Sequence, residues 1–467
     1  MPALPFGKPR KRGMRMNRVM SRARIILALI VVLALGVTIF LGDYVLNSHK
    51  WVHSPGSPHI YNAENIGCGM ICDRKGNLLL DLTGERTYAS SATLRKSTLH
   101  WLGDRQGNIS APALSKYAKE IAGYNPLTGV YAYGGVGGQV QLTLSAQLQM
   151  TALEAMGDYK GTLTVYNYKT GEILCSVTTP SFDPDNVPDI ENNDAYQGVY
   201  LNRFTQATYT PGSIYKIVTL IAALESLPDI ESFAFECTGI VEYGIDKVTC
   251  ERVHGQQDLQ DAFKNSCNCA FAKISELVGG ARLEQYAKQL GILDSISFDG
   301  IRTAAGNIEA AGQESVQVAW SAIGQHKDLV NPASFLTLVG AIANGGVGQK
   351  PYLVQQIRTG ISTTYQAKPA STDRLMSTQT AQKMSRMLRN NVENYYGDEN
   401  FAGLSVCAKS GTAQVGEGKK PNAMFTGFVT DEQYPFAFFV AVEDGGYGRA
   451  TCVPILEKVL LACQQIQ

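Results

Sequence analysis

The sequence predicts an α+β fold whose centre is a five-stranded antiparallel sheet covered by helices. Five runs have the composition of strands, and they lie at 162–168, 172–178, 404–408, 424–430 and 436–442. The first two flank the short turn Lys169-Thr170-Gly171, which is typical of a hairpin. Between the second and third runs, residues 213 to about 344 have mostly helical spacing of apolar side chains. Strands, then helices, then strands predict one sheet assembled from both ends of a domain.

Local patterns predict further elements around this sheet. Residues 69–82 are expected to form two short strands joined by a turn at 74–77. A short helix is expected at 111–124, and a longer one at 145–156 with Ser145 as its N-cap. A last helix is predicted at 455–465, entered through Pro454, because proline is favoured in the first turn of a helix.

The N-terminal region combines a basic head with an apolar segment. Residues 1–42 carry eight Lys and Arg residues and no Asp or Glu, and residues 25–42 lack any charged side chain. These 18 residues are about the minimum that spans a bilayer, and the basic flank favours the cytoplasmic side. The alternative is a cleaved signal peptide, whose apolar region is usually shorter and is followed by a small-residue cleavage site. We therefore expect a single-pass membrane anchor rather than a nucleic-acid-binding head.

A glycine-rich stretch at 131–139 is typical of a joint between domains. Together with the apolar segment it divides the chain into four expected parts. They are a basic cytoplasmic tail (1–24), a transmembrane anchor (25–42), a membrane-proximal region (43–140) and a main domain (141–467). Most of the chain would then lie on the outer side of the cytoplasmic membrane.

The chain has ten cysteines, and disulfides are permitted outside the cytoplasm. Cys237 and Cys250 bracket a short polar loop and are the favoured pair, whereas Cys267 and Cys269 are too close along the chain to pair comfortably. A zinc site from Cys237, Cys250 and His254 is the alternative, but no C-x-x-C spacing supports it. We therefore expect neither a metal nor another cofactor.

The stretch TYTPGSIYKIVTL, residues 208–220, begins with turn-forming residues and continues as an apolar helix. Ser213 lies at the N-terminus of that helix, where unpaired N–H groups and the helix dipole stabilise developing negative charge. Lys216 follows one turn later on the same face, and burial would lower its pKa. A neutral amine beside a serine hydroxyl can act as a general base. The alternative is that Ser213 only caps the helix while Lys216 extends its ammonium to solvent.

The stretch KNSCNCAF places Ser266 and Asn268 two residues apart between two helical patterns. Such residues share no face of a continuous helix, but they converge on a cleft if the chain turns there. The hydroxyl would then relay a proton, and the amide would bind a peptide group. The alternative is an ordinary polar turn.

The stretch AKSGTAQ lies at the expected end of the strand at 404–408. Alternation puts Lys409 and Gly411 on one face and Ser410 and Thr412 on the other. Gly411 would let a ligand backbone approach closely, and a lysine with two hydroxyls suits a carboxylate. The alternative is an edge strand with polar residues, where lysine is common.

In this order the three stretches form the set S-x-x-K, S-x-N and K-[ST]-G, which penicillin-binding proteins and class A β-lactamases share. The chain resembles the class B penicillin-binding proteins, the monofunctional D,D-transpeptidases of bacterial cell walls. LNRFTQATYTPGSIYKI resembles that family's approach to the nucleophile, and TGEILCSVTTPSFDPDN resembles its early hairpin. The resemblance covers most of residues 72–443. KSG replaces the commoner KTG and keeps a hydroxyl, and Ser145 stands where the family often has Asp.

The resemblance implies a penicillin-binding serine-transpeptidase fold and a role for each motif residue. The implied catalytic residues are the nucleophile Ser213, its base Lys216, and the proton-transfer residues Ser266 and Lys409. The implied substrate-binding residues are Asn268, Ser410, Gly411 and Thr412. Backbone N–H groups of Ser213 and Thr412 would form the oxyanion hole. The implied partners are peptidoglycan stem peptides, β-lactams as inhibitors, the cytoplasmic membrane, a membrane glycosyltransferase and other elongation or division proteins, with no nucleic acid.

Two alternatives to a transpeptidase share parts of this pattern. A serine β-lactamase has the same three motifs but needs a base for a deacylating water, and no E-x-x-L-N stretch is present to supply one. A catalytically inactive scaffold of a cell-wall complex would not need all three motifs intact. The anchor and the extra N-terminal region also favour the cell-wall enzyme.

Overall fold

The structure is a computed structural model that describes residues 13–52, 61–62, 65–66, 69–83, 85–122, 137–401, 403–416 and 418–465. It begins with the helix Gly13–Val52. Within this helix, the 27-residue stretch Arg18–Tyr44 contains an apolar window long enough to cross a membrane, and no other helix of the described chain meets both conditions. The first half of the predicted basic tail lies outside the described residues.

The centre of the fold is a five-stranded antiparallel sheet, which we call the main sheet. Its strands, in spatial order, are Val406–Ala413, Asn422–Val429, Phe436–Val442, Gly161–Asn167 and Ile173–Thr179. The first three strands come from the end of the chain, and the last two form the early hairpin. The predicted fold class is therefore confirmed.

The main sheet is buried on both faces, which its middle strand Phe436–Val442 illustrates. All seven of its residues are buried. Alternate side chains enter two different cores, because Phe439 packs into one cluster with Phe335 and Phe438 into the other with Phe425. The near-continuous apolar run in the sequence thus reflects helices on both faces of the sheet.

Helices cover both faces of the main sheet. In chain order, the α-helices of the described residues after the N-terminal one are Ala92–Leu102, Pro112–Lys116, Ala118–Ala122, Ala146–Met156, Arg203–Gln206, Lys216–Ser226, Leu259–Lys264, Asn268–Val278, Gly280–Gln289, Ser315–Ala322, Pro332–Ala343, Thr378–Asn391 and Gly448–Cys463. The expected helix at 111–124 is therefore two short helices. The two helices are separated at Tyr117, whose buried hydroxyl donates to Asp299 Oδ1 at 2.8 Å. The helical pattern of the sequence did not reveal this contact.

The prediction that the last helix begins after Pro454 is wrong. The helix Gly448–Cys463 contains Pro454 in its interior, where proline costs about 3 kcal/mol by removing a hydrogen bond and clashing with the preceding turn. Ile455, Leu456 and Leu460 are almost wholly buried in the core beneath it. Each such side chain contributes roughly 1.5–3 kcal/mol on burial, so tertiary packing outweighs the local cost.

A second, six-stranded sheet lies beside the first. Its strands, in spatial order, are Ser362–Gln366, Val354–Thr359, Gln139–Leu142, Met70–Cys72, Leu78–Asp81 and Thr87–Tyr88. The expected strand pair around the turn at 74–77 is confirmed. This sheet combines strands from both sides of residue 140, so the two parts expected to meet there share one sheet. Most of the glycine-rich stretch at 131–139 lies outside the described residues.

A small excursion interrupts the stretch expected to be helical after residue 213. Four strands of four residues each form two antiparallel pairs, Ala234–Cys237 with Gly255–Asp258 and Ile240–Tyr243 with Asp246–Thr249. We call residues 234–258 the cysteine subdomain. The remaining short pairs of the described chain are Tyr61–Asn62 with Asn65–Ile66, Ser297–Phe298 with Ile301–Arg302, and Val347–Gln349 with Ser371–Arg374.

Candidate active site

Ser213 lies in a tight turn between the main sheet and a buried helix. Residues Gly212–Tyr215 form a single 3₁₀ turn, and the α-helix Lys216–Ser226 continues from it. Gly212 has a φ of +54°, and a Cβ there would stand 2.5 Å from the Thr412 carbonyl oxygen of the edge strand. Glycine is therefore required at this position on both grounds. The turn presents a half-buried Ser213 at a helix N-terminus, as the sequence predicts.

Lys216 is wholly buried one turn after Ser213. Its Nζ lies 3.0 Å from Ser213 Oγ and 3.1 Å from Ser266 Oγ, and it donates to Asn268 Oδ1 at 2.7 Å. Burial lowers the pKa of Lys216 to about 8, because the ammonium loses its hydration. A sizeable fraction of Lys216 is therefore neutral near physiological pH, and this amine is within hydrogen-bond distance of a serine hydroxyl.

Ser266 and Asn268 lie at the junction of the helices Leu259–Lys264 and Asn268–Val278. The predicted turn between two helices is therefore present. Ser266 adopts a φ of +54°, which is unfavourable for a residue with a Cβ and is typical of functional sites. This conformation directs Ser266 Oγ to a position between two lysines, 3.1 Å from Lys216 Nζ and 3.0 Å from Lys409 Nζ.

Lys409 lies within the edge strand Val406–Ala413 rather than at its end, which corrects the predicted end of this strand. The strand is longer because all eight residues pair with Asn422–Val429. Lys409 is wholly buried, while Ser410 and Thr412 are half-buried on the other face, as alternation predicts. Burial, and then the nearby charge of Lys216, lower the pKa of Lys409 well below its ordinary value.

Gly411 is needed for contact between two parts of the chain. A Cβ at Gly411 would lie 2.9 Å from the Pro211 carbonyl oxygen and 3.0 Å from Ile214 Cγ2. The sequence suggested that this glycine admits a ligand backbone. The structure gives it a packing role, since it lets the nucleophile turn approach the edge strand.

The free edge of the main sheet faces Ser213. The Ser410 N–H points away from the sheet and donates to the Tyr396 hydroxyl at 2.9 Å. Because backbone groups alternate in direction along a strand, the Thr412 N–H also points away from the sheet, on the side where its own carbonyl meets Gly212. The Thr412 N–H is therefore directed to the side on which the Ser213 turn lies, where a backbone donor suits a developing oxyanion.

A cleft of about 870 Å³ lies over these groups. Of the eight site residues expected from the sequence, Ser213, Ser266, Asn268, Ser410 and Thr412 line it, and the remaining three lie beneath or behind its surface. Ligand clefts of 300–1,000 Å³ with a few convergent polar groups are typical of binding sites. The structure thus brings together all three sequence motifs.

Sequence patterns missed two side chains of the site. Tyr396 is wholly buried, and its hydroxyl lies 2.9 Å from Ser410 Oγ in addition to accepting the Ser410 N–H. Arg449 lines the cleft and stacks its guanidinium 5.1 Å from the ring centre of Tyr395. Neither residue belongs to a short motif. The cluster NYYG and the first turn of the last helix offered no signal beyond composition.

Together the groups are suited to acyl transfer. The site has a serine hydroxyl at a helix N-terminus, a buried lysine whose pKa is lowered to about 8, and a second hydroxyl within hydrogen-bond distance of both buried lysines. Within the described residues no carboxylate forms a hydrogen bond with Ser213, Lys216, Ser266 or Lys409. Lysine, rather than a histidine with an acidic partner, is therefore the candidate base.

Comparisons with known proteins agree with this geometry. Residues 161–461 match the penicillin-binding protein transpeptidase domain family. The chain is 27% identical over 362 residues to the peptidoglycan D,D-transpeptidase PbpA of Mycolicibacterium smegmatis, covering 70% of this chain and 72% of that protein.

Two solved structures share the fold. One is the penicillin G acyl-enzyme complex of penicillin-binding protein A from M. tuberculosis, with a TM-score of 0.73 and 23% identity over 85% of this chain and 100% of that chain. The other is a complex of PBP2 with MreC from Helicobacter pylori, with a TM-score of 0.62 and 21% identity over 70% of this chain and 64% of that chain.

Proposed function

Because the chain belongs to the penicillin-binding protein transpeptidases, as a class B D,D-transpeptidase, we propose that it cross-links peptidoglycan stem peptides through an acyl-enzyme on Ser213. One observation supports this most directly. A single buried amine, Lys216 Nζ, lies 3.0 Å from Ser213 Oγ and 3.1 Å from Ser266 Oγ. This arrangement supports a nucleophile, a base and a proton relay within one connected group of side chains.

In the first half-reaction, Ser213 Oγ attacks the carbonyl between the two terminal D-alanines of a donor peptide. Its proton passes to neutral Lys216 Nζ as the new C–O bond forms. The oxyanion lies between the N–H groups of Ser213 and Thr412. The tetrahedral intermediate then breaks its C–N bond, and the terminal D-alanine leaves with an ester on Ser213 remaining.

Proton delivery to the leaving amine uses the second hydroxyl. Ser266 Oγ lies between Lys216 Nζ and Lys409 Nζ, at 3.1 and 3.0 Å. A proton taken up by Lys216 can therefore pass through Ser266 to the amine of the departing D-alanine. In the second half-reaction, an amine of a neighbouring stem peptide attacks the ester and returns a proton to Ser213 Oγ, which restores the enzyme.

Substrate binding is assigned to the half-buried polar side chains that line the cleft. Asn268 Oδ1 accepts from Lys216, while its Nδ2 donates to the Thr249 carbonyl at 2.9 Å, so the amide is held at the cleft wall for a donor peptide group. Ser410 and Thr412 offer hydroxyls to the terminal carboxylate. Arg449 adds a positive charge to the same cleft.

β-Lactams should acylate Ser213 and remain attached. Hydrolysis of such an ester needs a base that activates a water molecule. Among the described residues, no carboxylate forms a hydrogen bond with Ser213, Lys216 or Ser266. Glu251 is the one acidic side chain among the described residues that line the cleft. This favours a transpeptidase with a long-lived adduct over a serine β-lactamase.

The deciding experiment treats the full-length chain, purified in detergent, with a fluorescent penicillin and maps the labelled peptide by mass spectrometry. We expect a stable adduct on the peptide that carries Ser213 and no adduct in Ser213→Ala. Ser226→Ala is the matched control, because Ser226 lies on the same helix and its hydroxyl donates to Ala222 O. This control should label like the wild type.

The other outcomes separate the alternatives. Rapid loss of the label with release of hydrolysed penicillin would indicate a β-lactamase. An intact protein that never becomes labelled would indicate a catalytically inactive scaffold. Labelling at a serine other than Ser213 would contradict the assigned nucleophile.

We further propose that the chain is anchored by residues 25–42 with its N-terminus in the cytoplasm, followed by the membrane-proximal part (43–140) and the transpeptidase domain (141–467). The apolar helix window Arg18–Tyr44 and the basic residues before it support this topology. External protease should then digest the domain in intact spheroplasts and spare an N-terminal tag. Digestion of the tag instead would reverse the topology.

The expected protein partners are a membrane glycosyltransferase and other elongation or division proteins. The PBP2 from H. pylori is bound to MreC in its solved complex, and this likeness in fold supports an elongation partner for the present chain. Cross-linking in cells followed by purification of the full-length chain should recover such a protein. Recovery of the chain alone would contradict this part of the proposal.

A further inference from the structure

Three thiols and one imidazole meet beside the Ser266 turn, and two of these residues, Cys250 and His254, also line the cleft. They belong to Cys237, Cys250, His254 and Cys267, and their ligand atoms all lie within 4.8 Å of one another. We call these four residues the cysteine–histidine cluster. None of them takes part in the acyl transfer described above.

The spacing within the cluster is that of a tetrahedral metal site. The Sγ atoms of Cys237 and Cys250 are 3.8 Å apart, and those of Cys250 and Cys267 are 3.6 Å apart. The Sγ of Cys237 lies 3.4 Å from His254 Nδ1. With Zn–S near 2.3 Å and Zn–N near 2.0–2.1 Å, a tetrahedron has S–S edges of about 3.8 Å and S–N edges of about 3.5 Å. These three of the six separations agree with such edges within about 0.2 Å, and all four ligand atoms lie within 4.8 Å of one another.

We propose that the cysteine–histidine cluster binds one zinc ion, which fixes the Ser266 turn in its active conformation. Thiolate and imidazole ligands select zinc among the common divalent ions. Four protein ligands leave no open position for water, so the site is structural rather than catalytic. Each thiol releases its proton as the metal binds. Because the sequence contains no C-x-x-C pair, it led us to expect no metal.

Backbone groups around the cluster support thiolate ligands. The N–H of Cys269 points at Cys250 Sγ, and the N–H of Ala270 points at Cys267 Sγ, each at 3.4 Å. Both donors belong to the first turn of the helix Asn268–Val278. Such N–H donors around the ligands orient them and stabilise their negative charge, so the cluster has a polar surround suited to a metal.

Few other contacts hold the cysteine subdomain in place, chiefly Val248, which is buried in the large core, and the Tyr243 hydroxyl, which donates to Glu276 Oε1 at 2.7 Å. Its four strands have four residues each, and an isolated two-stranded pair is only marginally stable in water. Most of its side chains are exposed, and its core is a small cluster of Cys237, Val241, Ala262, Cys267, Cys269 and Ala270. A segment with so small a core usually depends on a metal or a disulfide.

The fourth ligand connects this subdomain to the active site. Cys267 lies between Ser266, whose hydroxyl contacts both lysines, and Asn268, which contacts Lys216. Ser266 also holds an unfavourable φ of +54°, so neighbouring contacts must stabilise it. A metal bound to Cys267 would supply such a constraint and keep both polar groups at hydrogen-bond distance.

A disulfide between Cys237 and Cys250 is the competing outcome that the sequence favoured. In the structure both are free thiols with their Sγ atoms 3.8 Å apart. A disulfide would bond only two of the four groups, Cys237 and Cys250, and would not involve Cys267 or His254. Zinc uses all four, which is why the geometry favours it.

The test measures zinc in the full-length chain purified in detergent under mild reduction and without chelators. We expect about one zinc ion per chain by inductively coupled plasma mass spectrometry. Cys237→Ser and His254→Asn should each bring the content close to zero. Cys269→Ser is the matched control, because Cys269 is buried beside the cluster with its Sγ facing the Val248 carbonyl, and it should keep the full zinc content.

Removal and return of the metal then test its effect on the turn. A chelator should slow acylation of the wild type by a fluorescent penicillin, on the order of 10- to 100-fold, because misplacement of catalytic groups by about 1 Å has effects of that size. Added zinc should restore the rate and raise the unfolding temperature. Restoration of the wild type also guards against ligand variants that merely misfold.

Three results would overturn the proposal. One is reduced protein that takes up no zinc when the ion is added. Another is a Cys237–Cys250 disulfide in the protein as isolated, shown by mass spectrometry of unreduced peptides. The third is zinc that persists equally in Cys237→Ser and the wild type, which would mark it as adventitious. Metal content is measured without penicillin, so this result is independent of the proposed enzymatic function.

Discussion

The rate of acylation should follow the protonation state of Lys216. Burial lowers the pKa of Lys216 to about 8. An ordinary lysine would be about 0.1% neutral at pH 7.5, whereas a pKa of about 8 leaves roughly a quarter of the amine neutral. The buried position thus increases the fraction of usable base roughly 200-fold at that pH, which corresponds to about 3 kcal/mol.

The sign of the pH dependence follows directly. Below its pKa, Lys216 is an ammonium and cannot accept the proton from Ser213 Oγ, 3.0 Å away. The second-order rate of acylation should therefore rise about tenfold from pH 6 to pH 7 and level off above about pH 8.5. Stopped-flow measurement with a fluorescent penicillin between pH 5.5 and 9.5, on the full-length chain in detergent, gives this profile.

Two variants assign the inflection to one lysine. Lys216→Arg should slow acylation by about 10² to 10⁴-fold and remove the inflection, because a guanidinium stays protonated throughout this range. Lys409→Arg places a permanent positive charge near Ser266, so the rate should fall while the inflection remains near pH 8 or moves lower. A wild-type rate that is constant from pH 6 to 9, or an inflection that persists in Lys216→Arg, would refute Lys216 as the base.

Three further predictions test the surroundings of the nucleophile. Gly411→Ala places a methyl group 2.9 Å from the Pro211 carbonyl oxygen. This crowding should lower the free energy of unfolding by about 1–3 kcal/mol, seen as a lower unfolding temperature, and slow acylation at least tenfold. Unchanged stability and rate would contradict the packing role of Gly411. Tyr396→Phe leaves the half-buried Ser410 N–H without its acceptor. Calorimetry should show a loss of about 1–3 kcal/mol. Stability equal to the wild type would show that water replaces the hydroxyl. Arg449→Gln should raise KM several-fold for donor peptides with a free carboxylate and much less for amidated ones, with kcat little changed; equal effects on both peptides would remove Arg449 from carboxylate binding.

The sequence by itself determined the local elements and the chemistry available to them. Alternation and hairpin spacing located the strands Gly161–Asn167, Ile173–Thr179 and Phe436–Val442 to within a residue or two. The approach to Ser213 showed a turn followed by an apolar helix, which the structure contains. These features depend on periodicity and turn-forming residues within a few positions of one another, and such information is fully present in a short stretch of chain.

Where local preference and packing disagree, tertiary structure determined the conformation of the chain. Pro454 lies inside the last helix because the apolar side chains around it are buried against the sheet. Tyr396 became part of the site because the π-helical turn Val392–Tyr396, which follows the helix Thr378–Asn391, packs on the edge strand that contains Ser410. No short pattern records how much core a residue will contact, so these outcomes were beyond local sequence.

The same reason explains the two most informative contacts of the molecule. Lys216 meets Ser266 across 50 positions of sequence, and Lys409 meets Ser266 across 143. The cysteine–histidine cluster joins two strand pairs of the cysteine subdomain to the helix that begins at Asn268. The sequence supplied the lysines, hydroxyls and thiols. Only the packing of helices on one sheet, which depends on contacts between distant segments, determined which of them lie within 3 or 4 Å of each other.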